Sequence, residues 1–296
     1  MTMPRVIDQD FIAMLEGHDL SVKRLTTGLF GGNRRSKAYG SSAEFADYRS
    51  YAPGDDLRRV DWNLYARFGQ LYLKLFVDER QLHHRIYFDT SASMDWGDPK
   101  KSHTALRLGA ALGFLSVQAM DRVSFFALSG TSCTDLCGTI IGRDAYFRAM
   151  DALEGIPFRG DMDMGAAIMQ NKETAYAGGL SVIISDFMTD SDWKGAVDSL
   201  LRQKREVHLV RVLSRDEIDP DIKGLFVLRG VEGGSDDYRS EFGKPHMDAY
   251  RKAFDYVTKD MQSFCASRGV GLFTVCTDEP IGQMLFEKAV SAGVIV

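Results

Sequence analysis

Hydrophobic and polar positions follow two regimes that meet near residue 84. From there on, short apolar runs take turns with longer amphipathic ones. "HRIYFDT", "DRVSFFALSG", "LSVIISDF", "REVHLVRVL" and "VGLFTVCTD" read as strands, and "TDLCGTIIG" as a weaker one. "LSVIISDF" is almost continuously apolar, which suits a parallel strand covered on both faces. "KSHTALRLGAALGFLSVQAM" predicts a helix apolar on most sides, hence buried. "RDAYFRAMDAL", "MDMGAAIMQNKETAYA", "SDWKGAVDSLLRQK" and a closing "IGQMLFEKAV" predict further helices. The clearest helix starts at "KPHMDAYRKAF". Met247, Tyr250, Phe254, Val257, Met261 and Phe264 recur at steps of three and four, and Gly269 is placed to end it.

Such alternation predicts an α/β, doubly wound, mostly parallel sheet over residues 82–296. Residues 1–81 form an N-terminal β-rich extension in this reading. "QDFIAMLEG" is a short helix ended by Gly17, "APGDD" a turn built on Pro53 and Gly54, and "QLYLKLFV" a strand. "VEGGSDDYRSEFG", residues 231–243, reads as an extended loop.

In doubly wound sheets, ligands collect outside the carboxyl ends of the strands, at a topological switch point. Two predicted strands end there in a carboxylate, Asp89 and Asp186. Asp89 opens "DTSASM", so Ser91 and Ser93 follow it at alternate positions. One carboxylate and two hydroxyls on a tight loop are hard oxygen donors for Mg²⁺ or Mn²⁺, with Asp186 adding a second carboxylate. The same residues also serve as helix caps and turn formers. Both readings stand on the sequence.

A net charge of −5 disfavours sequence-independent nucleic-acid binding. Four scattered cysteines form no disulfide or zinc framework. Acids run through the N-terminal stretch, predicting no signal peptide, and no run approaches the roughly twenty apolar residues of a membrane span. The expectation is a cytoplasmic protein without direct membrane insertion. His83 and His84 are neighbours in a strand and therefore point apart. No nucleophile elbow, P-loop or dinucleotide fingerprint is present.

"IYFDTSASM" resembles the metal-ion-dependent adhesion site of von Willebrand factor A domains, whose first motif is D-x-S-x-S, and "VIISDF" resembles the strand carrying that site's later Asp. "YRSYAPGDDLRRVDWNLYARFGQLYLKLFVDER", "VHLVRVLSRDEIDPDIKG" and "LFTVCTDEP" are similar to the bacterial domain-of-unknown-function family numbered fifty-eight, over roughly residues 20–296. That resemblance implies a von Willebrand factor A-like fold and a non-enzymatic interaction module. It also implies a MoxR-type AAA ATPase as partner, with assembly or maturation of a client protein as the task. The site's second motif, G-G-T-D-L-G, departs here to "RGDMDMGAAI". Met162 stands where the threonine would be, and a thioether is a poor ligand for a hard cation. Asp161 is the neighbouring oxygen that could stand in. Asp55, Asp56, Arg58 and Arg59 form a candidate docking face or, equally, a salt-bridge network. Two other functions use the same edge: a metal-assisted hydrolase with Asp161 or Asp163 as base, and a metal-free adaptor.

Overall fold

The computed structural model describes residues 6–16, 43–51, 57–78, 82–171, 179–220, 224–228 and 238–294. In chain order the elements begin with α1 (Gln9–Glu16), β1 (Ala43–Ser50), α2 (Trp62–Phe68), β2 (Tyr72–Asp78) and β3 (His83–Asp89). They continue with α3 (Lys101–Gln118), β4 (Arg122–Ser129), β5 (Ser132–Asp135), α4 (Arg143–Glu154), α5 (Met164–Gln170) and β6 (Leu180–Ser185). Then come α6 (Trp193–Arg202), β7 (Glu206–Leu213), α7 (Arg215–Ile218), β8 (Gly224–Leu228) and β9 (Tyr238–Phe242). Last are α8 (Lys244–Arg268), β10 (Gly271–Cys276) and α9 (Ile281–Gln283), which runs on as a π-helical stretch over Met284–Ala289. The chain divides into two compact units, residues 27–81 and residues 1–26 with 82–296.

The larger unit is built on a six-stranded sheet of order β10-β7-β6-β3-β4-β5, parallel except for the antiparallel edge strand β5. Side chains of successive strand residues pass to opposite faces. One face collects Ile86, Phe88, Val123, Phe125, Val182, Ile184, Val210 and Val212. The other collects Tyr87, Phe126, Leu128, Ile183, Val207 and Leu209. Residues of α3, α4 and α1 cover the first face, and those of α5, α6 and α8 the second. Two covered faces explain why the inner strands carry apolar residues at consecutive positions, such as Ile86–Phe88 and Val182–Ile184, rather than at every other one. The chain leaves β3 for β4 on one side and later enters β6 on the other side of β3. The switch point therefore lies between β3 and β6.

Helix α3 lies close on β3 and β4 because two of its residues lack side chains. A Cβ on Gly109 would fall on the Phe88 ring, and one on Gly113 would meet the Phe125 ring. The smaller unit pairs β1 with β2 antiparallel. Asp61 caps α2 by accepting from the Asn63 and Leu64 amides, and Tyr48 donates to its other oxygen at 3.0 Å.

The doubly wound sheet matches the sequence reading, and four details correct it. Helix α1 belongs with the larger unit rather than with the extension, since Phe11 and Leu15 are buried in the core beside α3. Residues 238–242 of the expected 231–243 loop pair with β8 as a strand. The helix expected from "MDMGAAIMQNKETAYA" ends at Gln170, with Asn171 as its cap. "TDLCGTIIG" yields a strand only to Asp135 and an isolated bridge at Ile140. Gly17, Pro53 and Gly54 lie outside the described residues.

Two predictions follow from this packing. Gly109→Ala gains about 1 kcal/mol of helix propensity but meets the immobile Phe88 ring, where overpacking costs about 1–3 kcal/mol. We expect a net loss of stability in urea titration; a gain would show that α3 can move off β3. Burial drives His83 down to about 4, and the positive Arg85 and Arg205 add to this. Its folded value lies below the unfolded one, so the folded state binds fewer protons between them. The associated stability is full above about pH 6.5 and is lost as pH falls toward 4, by roughly 3 kcal/mol in all. His83→Gln should flatten the stability profile between pH 7 and pH 5.

Candidate functional site

Strand β3 delivers Asp89 to the carboxyl edge with only 2% exposure. Its Oδ1 accepts from the Ser91 amide at 2.9 Å and from the Ser91 hydroxyl at 2.6 Å. Its Oδ2 accepts from the Ser185 hydroxyl at 2.6 Å, across the switch point on β6. Ser91 and Ser93 oxygens stand 3.0 Å apart. Ser91 precedes the short 3₁₀ turn Ala92–Asp95, but its side chain makes no capping bond there. Of the "DTSASM" hydroxyls, Ser91 is thus held on the carboxylate and Ser93 on Ser91, while Thr90 donates to the Leu128 main-chain oxygen at 2.7 Å. A hydroxyl has one proton and two lone pairs. With its proton on Asp89, Ser91 accepts from Ser93, and lone pairs on both oxygens stay available. Burial raises the Asp89 carboxyl above its ordinary range; the Ser185 and Ser91 hydroxyls pull it back, and the negative Asp186 pushes it further up.

Asp186 follows β6 directly and is 1% exposed. Its Oδ1 accepts from the Met188 amide at 2.9 Å. Its Oδ2 accepts from Lys101 Nζ at 2.6 Å, and the same ammonium donates to Glu217 Oε1 at 2.5 Å. Glu217 also holds the α7 terminus in a capping box with Ser214. Arg211, near the end of β7, donates from Nε to the Asp186 main-chain oxygen at 3.3 Å and from Nη1 to Thr258 on α8. Gly97, at φ +94, brings the "DTSASM" loop against Ser214, whose Cβ would lie 2.9 Å from a side chain there.

The loop before α5 closes the other side. The Arg159 amide donates to Thr90 O at 2.9 Å, and the Ala92 amide to Gly160 O at 2.8 Å. Asp161 is exposed, and its main-chain oxygen accepts from Gly130. Met162 is buried among Phe126, Leu128 and Met164, so its thioether packs in the core. Asp163 caps α5 by accepting from the Ala166 amide at 3.0 Å. The structure thus links Asp89 to Ser91 and Ser91 to Ser93, and places Asp186 directly after the neighbouring strand, already ion-paired. Arg58 is exposed in the turn Leu57–Arg59 of the smaller unit, while Asp55 and Asp56 lie outside the described residues. His83 bonds Ser124 at 2.9 Å and His84 bonds Asp121 at 3.0 Å, each with its own partner.

Ser185, Lys101, Glu217 and Arg211 were not singled out by sequence. A serine directly before the strand-end Asp, and an arginine inside "VHLVRVL", were the available signals.

As donors for a cation, one carboxylate and two hydroxyls within hydrogen-bond distance suit a hard divalent ion, which takes oxygens and keeps water. Among the described residues, no three His, Cys, Asp or Glu side chains gather as a metal-binding group. The fit therefore rests on Asp89, Ser91 and Ser93, and Met162 does not contribute.

A doubly wound sheet with D-x-S-x-S at the end of its first parallel strand is von Willebrand factor A-like in layout. The family model "Protein of unknown function DUF58" matches residues 47–263, and the chain belongs to that family. Uncharacterized proteins of Mycobacterium bovis and Mycobacterium tuberculosis are 28% identical over 235 residues, covering 77% of this chain and 73% of theirs. Among solved structures, BatB of Bacteroides thetaiotaomicron matches at 14% identity over 71% of this chain and 98% of that one, with a TM-score of 0.42. The SpRpn10 von Willebrand factor A domain matches at 8% identity over 70% and 94%, with a TM-score of 0.42. Among the described residues, no helix is long and apolar enough to cross a membrane.

The Ser185 hydroxyl is completely buried and bonds a carboxylate. Hydrogen bonds to charged groups contribute about 1.5–3 kcal/mol. Ser185→Ala should lower unfolding free energy in chelator by about 2 kcal/mol, measured by urea titration; a change below about 0.5 kcal/mol would show that Asp89 does not depend on it.

Proposed function

We propose that this chain is a non-enzymatic protein-interaction module whose docking point is the carboxyl edge of the sheet at the β3–β6 switch point. One observation carries the reading. Asp89, Ser91 and Ser93 are packed on one another by bonds of 2.6 Å and 3.0 Å at the place where such sheets take their ligands. In this reading Asp89, Ser91 and Ser93 hold Mg²⁺ or Mn²⁺. Bound there, the ion supplies an open coordination position that a partner's carboxylate can fill. Asp89 anchors the site, and Ser185 fixes the orientation of its carboxyl. Ser91 and Ser93 present their lone pairs, and the Asp161 loop forms the rim. The proposed partner is a MoxR-type AAA ATPase together with its client, and the proposed setting is the cytoplasm.

The hydrolase reading has less behind it. Asp163 is engaged as a helix cap, and Asp161 makes its bond through the main chain. The metal-free adaptor is favoured by one observation: Asp186 already has an ammonium partner.

Titration of Mg²⁺ and Mn²⁺ into chelator-stripped protein separates the readings. We expect saturable binding in the wild type, lost in Asp89→Ala, and capture of a MoxR-type ATPase that weakens with chelator. No binding in the wild type, with capture of the ATPase unaffected by chelator or by Asp89→Ala, moves the assignment to the metal-free adaptor.

A further inference from the structure

Lys101 is the first residue of α3 and has 0% exposure, an expensive place for an ammonium unless it is paired. It is paired twice, with Asp186 and with Glu217. Arg211, 2% exposed, stands within electrostatic reach of both carboxylates. Two cations meet two anions, and their formal charges cancel. Asp89 lies beside this quartet with its oxygens bonded to the neutral hydroxyls of Ser91 and Ser185. Other charges around the loop also come in opposite signs. Asp95 pairs with Lys100 at 2.8 Å, and the rim loop carries exposed Arg159, Asp161 and Asp163. Within this buried group Asp89 is the one carboxylate with hydroxyl and amide partners instead of a cation.

We infer that Lys101 determines what the edge binds: by neutralising Asp186 it leaves Asp89 alone to offset a divalent ion, so one positive charge remains for an acidic group of the partner. This rests on the cation site proposed above. Without Lys101, Asp186 and Glu217 would share Arg211 alone, and one more uncompensated negative charge would stand next to the site. Two carboxylates cancel a divalent charge, and a neutralised ion attracts an anion weakly. In a poorly hydrated setting a unit charge a few ångströms away shifts ionic equilibria by orders of magnitude, so a single lysine decides the sign. Lys101 is a positioning and specificity residue in this account and touches neither ion nor partner.

The test measures Mn²⁺ binding to the chelator-stripped full chain, read from the paramagnetic resonance signal of free Mn²⁺, with and without acetate at constant ionic strength. In the wild type acetate should tighten Mn²⁺ binding severalfold, because ligands that favour each other are reciprocally linked. Lys101→Met should bind Mn²⁺ about tenfold more tightly and lose the acetate effect. Lys101→Arg should keep it. Glu217→Gln, which retains an oxygen for the ammonium, should do the opposite of Lys101→Met: weaker Mn²⁺ binding and a larger acetate effect. Circular dichroism establishes folding, and if Lys101→Met does not fold, Glu217→Gln decides alone. A folded Lys101→Met unchanged in both readouts overturns the inference, as does Glu217→Gln shifting both readouts as predicted for Lys101→Met. Wild-type Mn²⁺ binding without an acetate response overturns the inference and leaves the cation site standing. Wild-type protein with no saturable Mn²⁺ binding overturns both.

Discussion

The bond between the Ser185 hydroxyl and the Asp89 carboxylate joins the two strands at which the chain changes direction through the sheet. Asp89 is 2% exposed, so its charge is stripped of most of its water and must be held by protein groups. Ser91 supplies two bonds from the loop and Ser185 a third from the neighbouring strand. The switch point makes this possible, because it is there that crossovers diverge and loops open a crevice instead of covering it.

One strand away, the protein treats a second buried carboxylate differently. Asp186 receives an ammonium where Asp89 receives hydroxyls. Buried ion pairs rarely add much stability over apolar packing, but removing one partner is costly because the other is left uncompensated. The Lys101, Asp186, Glu217 and Arg211 group is therefore better understood as a way of fixing charge in place. It links the start of α3, the end of β6 and the β7–α7 corner, three places far apart in the sequence.

Much of this was legible in the sequence, for reasons that can be named. Doubly covered strands are apolar over most of their length, so "LSVIISDF" announced its place. The amphipathic period of α8 and its Gly269 end were written in steps of three and four, and Gly269 indeed adopts φ 67. Asp89, Ser91 and Ser93 were legible because their spacing is local. Lys101 was not, because its partners lie 85 and 116 residues away and nothing in a helix-opening lysine distinguishes a buried one from an exposed one. Ser185 was hidden by its neighbour, since the conspicuous residue of "ISDF" was the aspartate. Helix α1 was assigned by proximity in sequence, whereas Phe11 and Leu15 sit in the main core.

The two glycines of α3 bear on more than packing. Phe88 and Phe125 press their rings into the gaps at Gly109 and Gly113, one helical turn apart. These act as two notches along the helix, and a slide of one residue would drive both rings into side chains. The axial setting of α3 on the sheet is therefore keyed. Phe88 is the residue before Asp89, and Lys101 heads the helix two turns above Gly109. The spacing between a carboxylate on the strand and an ammonium on the helix is thus inherited from two methyl groups that the chain omits.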